Sequence, residues 1–363
     1  MDGYKKAIGK VDENEIENMI KSIDLDGNGV IDHNEFLACS LHKDKILKND
    51  NKMGLSKAYL EILKKLWEKN GPKSFSPNDF KNKIEEINPI FRNKEFGYNN
   101  NFLINLIEQI HKEQSKIVNF KYFSYNEELL NPYDKQNALK HFFDEFQKDC
   151  SIISDLFYGI FETNNVCLNC KNYYNSKGLI NPISYNYQKF NYILFPLEAI
   201  KNLKNNLNPY FCNNQIVQNN KVTLYDCFKY YLKTETFNQI NKTFCNSCQK
   251  LSTFEYSSKI YSCSKYIILI LIRETNNVLL DINEFLDITE FISEKDSPNI
   301  TYSLYGLITE LNNNLNSYYI ASCKSEIDSK WYRYNNDKVT PIINFQEEVI
   351  YFGKPCILMY KRN

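Results

Sequence analysis

The sequence predicts an α+β fold in two parts. Three observations carry this: helical periodicity dominates up to about residue 150, short apolar or alternating runs dominate beyond it, and composition shifts near residue 50. Residues 1–50 read as an all-α helix-loop-helix unit. Ile16, Met19, Ile20 and Ile23 recur at i, i+3, i+4 and i+7, an acidic loop containing glycine follows, and Phe36, Leu37, Ser40 and Leu41 open a second helix. The polar run Lys48-Asn49-Asp50-Asn51-Lys52 reads as a linker, and a second domain is expected over residues 53–361.

That domain begins with helices. One carries Leu60, Leu63 and Trp67 and stops at Gly71-Pro72, and Ser76-Pro77 opens the next by placing a capping residue before proline. Phe102, Leu103, Leu106, Ile107 and Ile110 define the apolar side of a third. From there the period changes, and residues 156–161, 191–197, 266–272, 302–308, 318–321, 331–334 and 357–360 read as strands. The asparagine-rich stretches 201–208, 213–220 and 312–314 read as surface insertions. Leu156, Phe157, Ile267, Leu269, Leu271, Trp331 and Leu358 are the expected core, each worth roughly 1.5–3 kcal/mol when fully buried.

Composition excludes several classes. The 363 residues carry 44 Lys+Arg against 44 Asp+Glu, so no overall field favours nucleic acid or an anionic membrane surface, and neither is an expected partner. The longest apolar run, residues 266–272, is too short to span a bilayer, and the amino end lacks the apolar stretch of a secretory signal. A cytoplasmic or nuclear protein is expected. The 11 cysteines are odd in number and scattered, which suits packing, metal binding or catalysis better than a disulfide framework.

The loop Asp24-Leu25-Asp26-Gly27-Asn28-Gly29-Val30-Ile31-Asp32-His33-Asn34-Glu35 has the twelve-residue EF-hand pattern. Asp24, Asp26, Asn28 and Asp32 offer side-chain oxygens at positions 1, 3, 5 and 9, Gly29 permits the sharp turn, Val30 offers its carbonyl, and Glu35 closes the shell with two oxygens. Calcium, a hard cation that takes several oxygens, is the expected ligand. Two C-x2-C pairs, Cys167/Cys170 and Cys245/Cys248, are each followed by a polar turn bearing a lysine, Lys171 and Lys250. Together they could complete a tetrahedral zinc site, which requires the strands between them to bring the pairs into contact. Four unconnected thiols and a single redox pair are the alternatives. Cys39, Cys150, Cys212, Cys227, Cys263, Cys323 and Cys356 lack such spacing and read as packing residues.

Residues 1–48, notably GYKKAIGK followed by EIENMIKSIDLDGNGVIDHNEFLACSLHKDKIL, resemble the regulatory EF-hand segment of calcium-dependent protein kinases. No kinase motif accompanies them. Further on, NPIFRNKEFGYNNNFLINLIEQIHKE, SIISDLFYGIFETNNVCLNC, VTLYDCFKYYLKTETFNQINKTFCNSC, YIILILIRE, FLDITEF, YSLYGLI, SYYIASC, WYRYNND and ILMYKR resemble, in order, the landmarks of the ubiquitin-specific proteases. That resemblance implies a papain-like architecture of fingers, palm and thumb that grips ubiquitin or a ubiquitinated protein, with a cysteine triad cleaving after the terminal glycine of ubiquitin.

The triad itself is degenerate. A cysteine box of the form GNTCYMNS should precede the helix at Leu60, yet the only cysteine before Cys150 is Cys39, so the domain reads as incomplete at its amino end. The motif GHYxA corresponds to Ser317-Tyr318-Tyr319-Ile320-Ala321, which puts Tyr318 in the place of the base. A phenol, with an ordinary pKa of about 10, is not a half-ionised base near neutral pH. The orienting residue corresponds to Asn335, with Asn336 beside it, and the landmark QQDAQEF is degraded to Phe96-Gly97-Tyr98-Asn99-Asn100-Asn101-Phe102. His111, His141 and Cys323 are the candidates that could in principle replace the lost groups. Three functions are therefore carried forward. The first is an inactive, ubiquitin-binding or regulatory module joined to a calcium-binding EF-hand. The second is an active thiol-dependent deubiquitinase whose cysteine box is missing from this sequence. The third is a calcium sensor with a scaffold domain.

Overall fold

The computed structural model describes residues 54–67, 75–92, 99–115, 135–178, 183–207, 210–212, 215–217, 221–232, 235–236, 242–273, 278–293, 299–313, 316–335, 338–350 and 353–363. The helix-loop-helix expected over residues 1–50 lies outside them. The chain divides into two compact units, Met1–Phe96 with Asn105–Ser115, and Gly97–Ile104 with Lys116–Asn363.

In the first unit, helix α1 (Gly54–Trp67) and helix α2 (Asn78–Ile87) follow the expected apolar spacing, and a 3-10 turn (Pro89–Arg92) comes next. Leu55, Ala58 and Leu60 of α1 are buried, and the Tyr59 and Phe80 rings meet at 5.8 Å between the two helices. Helix α3 (Asn99–Gln114) supplies the polar fastening of this unit. The buried Glu113 carboxylate accepts the Leu55 N–H at 3.1 Å and the Ser56 N–H at 2.7 Å. Those are two of the four donors that the first turn of α1 cannot satisfy internally, and the carboxylate sits at the positive end of the helix dipole.

Beyond α3, the second unit continues with helix α4 (Lys135–Phe146) and a short helix α5 (Ile152–Phe157). A strand was expected over 156–161, and the structure corrects it. Ser151 Oγ accepts the N–H groups of Ile153 and Ser154 while Ser154 Oγ accepts the Ser151 N–H, a capping box that keeps residues through Phe157 helical. Strand β1 (Gly159–Cys167) starts two residues later, at a glycine whose added Cβ would lie 2.3 Å from the Phe190 ring. Helix α6 (Leu168–Ser176), β2 (Ile183–Phe190), β3 (Ile193–Pro196) and helix α7 (Leu197–Leu207) follow. The stretch 201–208, expected as an insertion, thus lies largely within α7, whose Leu197 and Ile200 reach the core.

Next come β4 (Tyr210–Cys212), β5 (Gln215–Val217), β6 (Lys221–Thr223), helix α8 (Leu224–Tyr231), β7 (Glu235–Thr236), β8 (Thr243–Cys245), β9 (Lys250–Ser252), β10 (Phe254–Ser262) and β11 (Tyr266–Ile272). The chain closes with β12 (Leu279–Asp281), β13 (Phe285–Asp287), β14 (Thr301–Asn313), β15 (Asn316–Lys324), β16 (Trp331–Asn335), β17 (Lys338–Ile342), a π-helical turn (Gln346–Ile350) and β18 (Lys354–Arg362). The main sheet runs β17-β16-β15-β14-β18-β11-β3, with β13 also on β14. All its pairs are antiparallel except β11 with β3.

Strand β11 explains why its run is continuously apolar. It lies between β18 and β3, and Tyr266 through Leu271 are all buried, so neither of its faces meets water. Ile267, Leu269 and Leu271 join Phe195, Phe228 and Tyr302 in the large core, together with the expected Trp331 and Leu358. A second sheet, β2-β1-β10-β7, leaves this core at one end. Phe161 and Ile260 are core residues, whereas Cys167 and Phe254, at the other end of the same strand pair, are not. Six residue steps at about 3.3 Å carry the chain about 20 Å from Phe161 to Cys167. Helix α4 braces this sheet through Lys135 Nζ, 3.0 Å from the buried Glu162 carboxylate, and through Phe142 against Tyr187.

Candidate functional site

The two cysteine pairs meet at the far end of the second sheet. Cys167 ends β1, Cys170 lies in the first turn of α6, Cys245 ends β8, and Cys248 lies in the turn before β9. The first pair therefore opens a helix, where a polar turn was expected. Antiparallel pairing of Cys167 with Phe254, continued by the Leu168 N–H donating to the Thr253 carbonyl at 2.9 Å, brings the β8–β9 hairpin to the first knuckle. The four sulfurs lie within 4.8 Å of one another, three of the residues buried and Cys248 half-buried. No other group of three or more potential ligands is found among the described residues.

The donor set fits zinc. Four sulfurs at about 2.3 Å from one tetrahedral ion stand about 3.8 Å apart, and here Cys167 and Cys248 are 3.9 Å apart and Cys170 and Cys245 3.7 Å. A disulfide would need about 2.05 Å. Burial opposes ionisation at Cys167, yet the Ser252 hydroxyl, the Cys170 backbone and the neighbouring thiols outweigh it and hold this thiol down to about 7. Burial and the Cys245, Cys167 and Cys248 thiols push the Cys170 thiol up. One thiol thus ionises first and its charge holds the next back, a conflict that a dication would relieve by taking all four as thiolates. Four protein ligands would leave no open coordination position, which makes the site one for a structural ion.

The turn is tight enough to strain the backbone. Gln249, just after the second knuckle, has φ +57°, its N–H donates to the Cys245 carbonyl at 2.8 Å, and its Nε2 donates to the Asn246 carbonyl at 2.7 Å. Two polar residues complete the surroundings. Ser252 Oγ is 3.7 Å from Cys248 Sγ and accepts from Asn169 Nδ2 at 2.8 Å. Neither was singled out in the sequence, where an isolated hydroxyl or amide has no spacing that marks it.

The residues that the resemblance aligns with the triad fall on the outer half of the main sheet. Tyr318 lies on β15 and is 40% exposed, and Asn335 is the last residue of β16, half-buried. Asn336 lies outside the described residues, as do Asp24, Asp26, Asn28, Val30, Asp32 and Glu35 of the expected calcium loop. The register pairs Ala321 with Tyr334 and Ser322 with Arg333. Strand alternation therefore puts Tyr318, Ile320, Ser322, Trp331 and Asn335 on one face, and Ala321, Cys323, Tyr332 and Tyr334 on the other. Burial agrees, since Ile320, Ser322 and Trp331 are all buried.

The possible replacements are elsewhere. Cys323 is on the opposite face from Asn335, and burial pushes its thiol up. His111 is buried within α3, and His141 is exposed on α4. Burial also pushes Cys227 up to about 12, Cys263 to about 11 and Cys356 to about 12. Those are inert packing thiols rather than activated nucleophiles.

With this geometry in hand, comparison with known proteins is specific. The family model described as ubiquitin carboxyl-terminal hydrolase matches residues 20–360. Among curated relatives, ubiquitin carboxyl-terminal hydrolase 2 of Gallus gallus is 23% identical over 311 residues, 79% of this chain and 75% of the relative. The Homo sapiens protein of the same name is 22% identical over 305 residues, 80% of this chain but 45% of the relative. Among solved structures, a SAGA Ubp8/Sgf11/Sus1/Sgf73 DUB module bound to ubiquitin aldehyde superposes with a TM-score of 0.57 at 18% identity, covering 90% of this chain and 66% of that one. The mixed α+β architecture is thus a known one. No described helix is long and apolar enough to cross a membrane.

Proposed function

The chain belongs to the ubiquitin carboxyl-terminal hydrolase family, and from that membership we propose a ubiquitin-binding or regulatory module whose hydrolytic centre is degenerate. The observation that carries this reading is Tyr318, a phenol where the motif GHYxA has its histidine, sharing a face with Asn335. Burial pushes the Cys227, Cys263, Cys323 and Cys356 thiols up, the opposite of what activates a nucleophile. The fold needs neither group. Its core is built from Phe195, Leu269, Tyr302 and their neighbours, none of which the chemistry would use.

In this reading Cys167, Cys170, Cys245 and Cys248 hold one zinc ion that fastens the tip of the second sheet. That sheet and the main sheet correspond to the fingers and palm, and the partner is ubiquitin or a ubiquitinated protein. The related module bound to ubiquitin aldehyde supports that choice. The test is a titration of the zinc-loaded full chain with monoubiquitin, in which saturable binding is expected and its absence rejects the module. A ubiquitin probe that traps thiols is run beside it. No adduct is expected, and an adduct blocked by prior alkylation would establish the active thiol-dependent deubiquitinase instead.

Calcium is the second ligand proposed. Asp24, Asp26, Asn28, Val30, Asp32 and Glu35 offer the oxygen set that a calcium loop needs. Calorimetric titration should show one calcium site that Glu35→Gln weakens strongly, because Glu35 alone offers two oxygens. If calcium alters partner binding in the wild type but not in Glu35→Gln, the domain is the scaffold of a calcium sensor.

A further inference from the structure

The two cysteine knuckles are joined by a polar link that does not depend on any ion. Ser252 ends β9 and is 2% exposed, and Asn169 sits between Cys167 and Cys170 on the other knuckle. Asn169 Nδ2 donates to Ser252 Oγ at 2.8 Å across 83 residues of sequence. An amide nitrogen can only donate, so this contact makes the serine oxygen an acceptor and leaves its single proton to be given elsewhere. The acceptors in reach are the Lys250 carbonyl at 3.3 Å and ligand sulfur, Cys248 Sγ at 3.7 Å and the Cys167 thiol that the same hydroxyl favours in its ionised form. The carbonyl lies beyond the usual O–H···O range of about 2.5–3.0 Å.

Charge decides between them. Four thiolates around one divalent ion leave a net negative charge in a largely buried site, and donors aimed at sulfur offset it. We infer that Ser252, oriented by Asn169, is a positioning residue that donates its hydroxyl proton to a ligand sulfur and tightens metal binding by the four-cysteine site. The inference rests on the zinc reading above and adds to it two residues that are not ligands. It also accounts for a buried hydroxyl held by an exposed amide, a pair that packing alone would not require.

The test uses the full chain and two probes, zinc in competition with a chromogenic chelator, and cobalt(II) for its thiolate charge-transfer band. Wild type should hold one zinc per chain. Ser252→Ala should release it at roughly 10- to 100-fold lower chelator concentration, the usual loss on removing an outer partner of a metal ligand. Its cobalt band should move to longer wavelength, because a sulfur without a donor holds its electrons less tightly. Asn169→Asp should behave like Ser252→Ala, since a carboxylate accepts the serine proton and withdraws it from sulfur. Asn169 is exposed, so that variant remains available if Ser252→Ala does not fold. Wild-type affinity and an unmoved cobalt band in either folded variant overturn the inference and leave the zinc site standing. Absence of stoichiometric zinc in the wild type overturns both.

Discussion

Tyr318 and Asn335 share one face of the neighbouring strands β15 and β16, with Asn335 next to the last registered pair, Ala321 and Tyr334. In the proposed reading Asn335 corresponds to the orienting amide, and Tyr318 to the base it would orient. If the nucleophile is also missing, restoring the base changes nothing. In a serine triad, loss of nucleophile or base alone costs about as much as loss of all three members, roughly 10⁶-fold. Tyr318→His should accordingly leave turnover of a fluorogenic ubiquitin conjugate at the buffer background. A rise above background in that variant would mean that a competent thiol exists in the chain.

The four-sulfur cluster makes a prediction about metal removal. Of the 11 cysteines, only Cys167, Cys170, Cys245 and Cys248 should pass from protected to reactive when a chelator is added, as counted by a thiol reagent under native conditions. Protons compete with the metal for thiolate, so retention should weaken as pH falls. Protection of all four at neutral pH without bound metal would contradict this account.

Gln249 offers an independent check on the turn. At φ +57° a side chain with a Cβ is strained, and a β-branched one more so. Gln249→Gly should be neutral or stabilise by up to about 1 kcal/mol, with the lost Gln249 Nε2 contact to the Asn246 carbonyl setting the balance. Gln249→Val should destabilise by about 1–2 kcal/mol in denaturant melts. Equal stability of the two variants would show that the turn is not held in this conformation.

Much of this arrangement was legible in the sequence, for reasons that differ by element. Strand β11 was read with its observed bounds because a strand covered on both faces must be apolar throughout. Helix α5 was misread, since its six residues are too few to show a period and its start depends on the Ser151–Ser154 box. Helix α7 was hidden by asparagine and lysine on its exposed side, although Leu197 and Ile200 already had helical spacing. The second sheet was missed almost entirely, because β2 and the outer half of β1 carry polar residues such as Asn164, Asn165 and Asn186. At the metal site the reverse held. Paired thiols announce themselves by spacing, whereas Ser252 becomes meaningful only once β9 is folded against Asn169.

In the first unit, Glu113 should be more important than its place near the end of α3 suggests. Its carboxylate accepts the Leu55 and Ser56 N–H groups inside a buried site. Glu113→Ala would leave both donors without that acceptor, which costs about 1–3 kcal/mol for each buried group left unsatisfied. A fall in unfolding free energy of that size, read as a lower denaturation midpoint, is expected, with Glu113→Gln falling between the two because one acceptor oxygen remains. A midpoint for Glu113→Ala equal to wild type would show that water caps α1 equally well.

Asp226 gives the pH dependence. It stands at the third position of α8 and accepts from the Thr223 N–H and Oγ1, both at 2.9 Å, and from Lys204 Nζ at 2.7 Å. Burial on its own would raise its pKa, but the Lys204 and Thr223 donors outweigh it and hold the carboxyl below its ordinary value. A group whose pKa is depressed on folding stabilises the fold above its unfolded value, about 3.9 for aspartate, and loses that contribution as pH falls through the folded value. Asp226→Asn keeps an acceptor for the Thr223 N–H but removes the charge. It should therefore be less stable than wild type by about 1 kcal/mol near pH 6, with the gap closing progressively below pH of about 4. A gap that stays constant down into acid would assign the loss to packing and not to the ionised carboxylate.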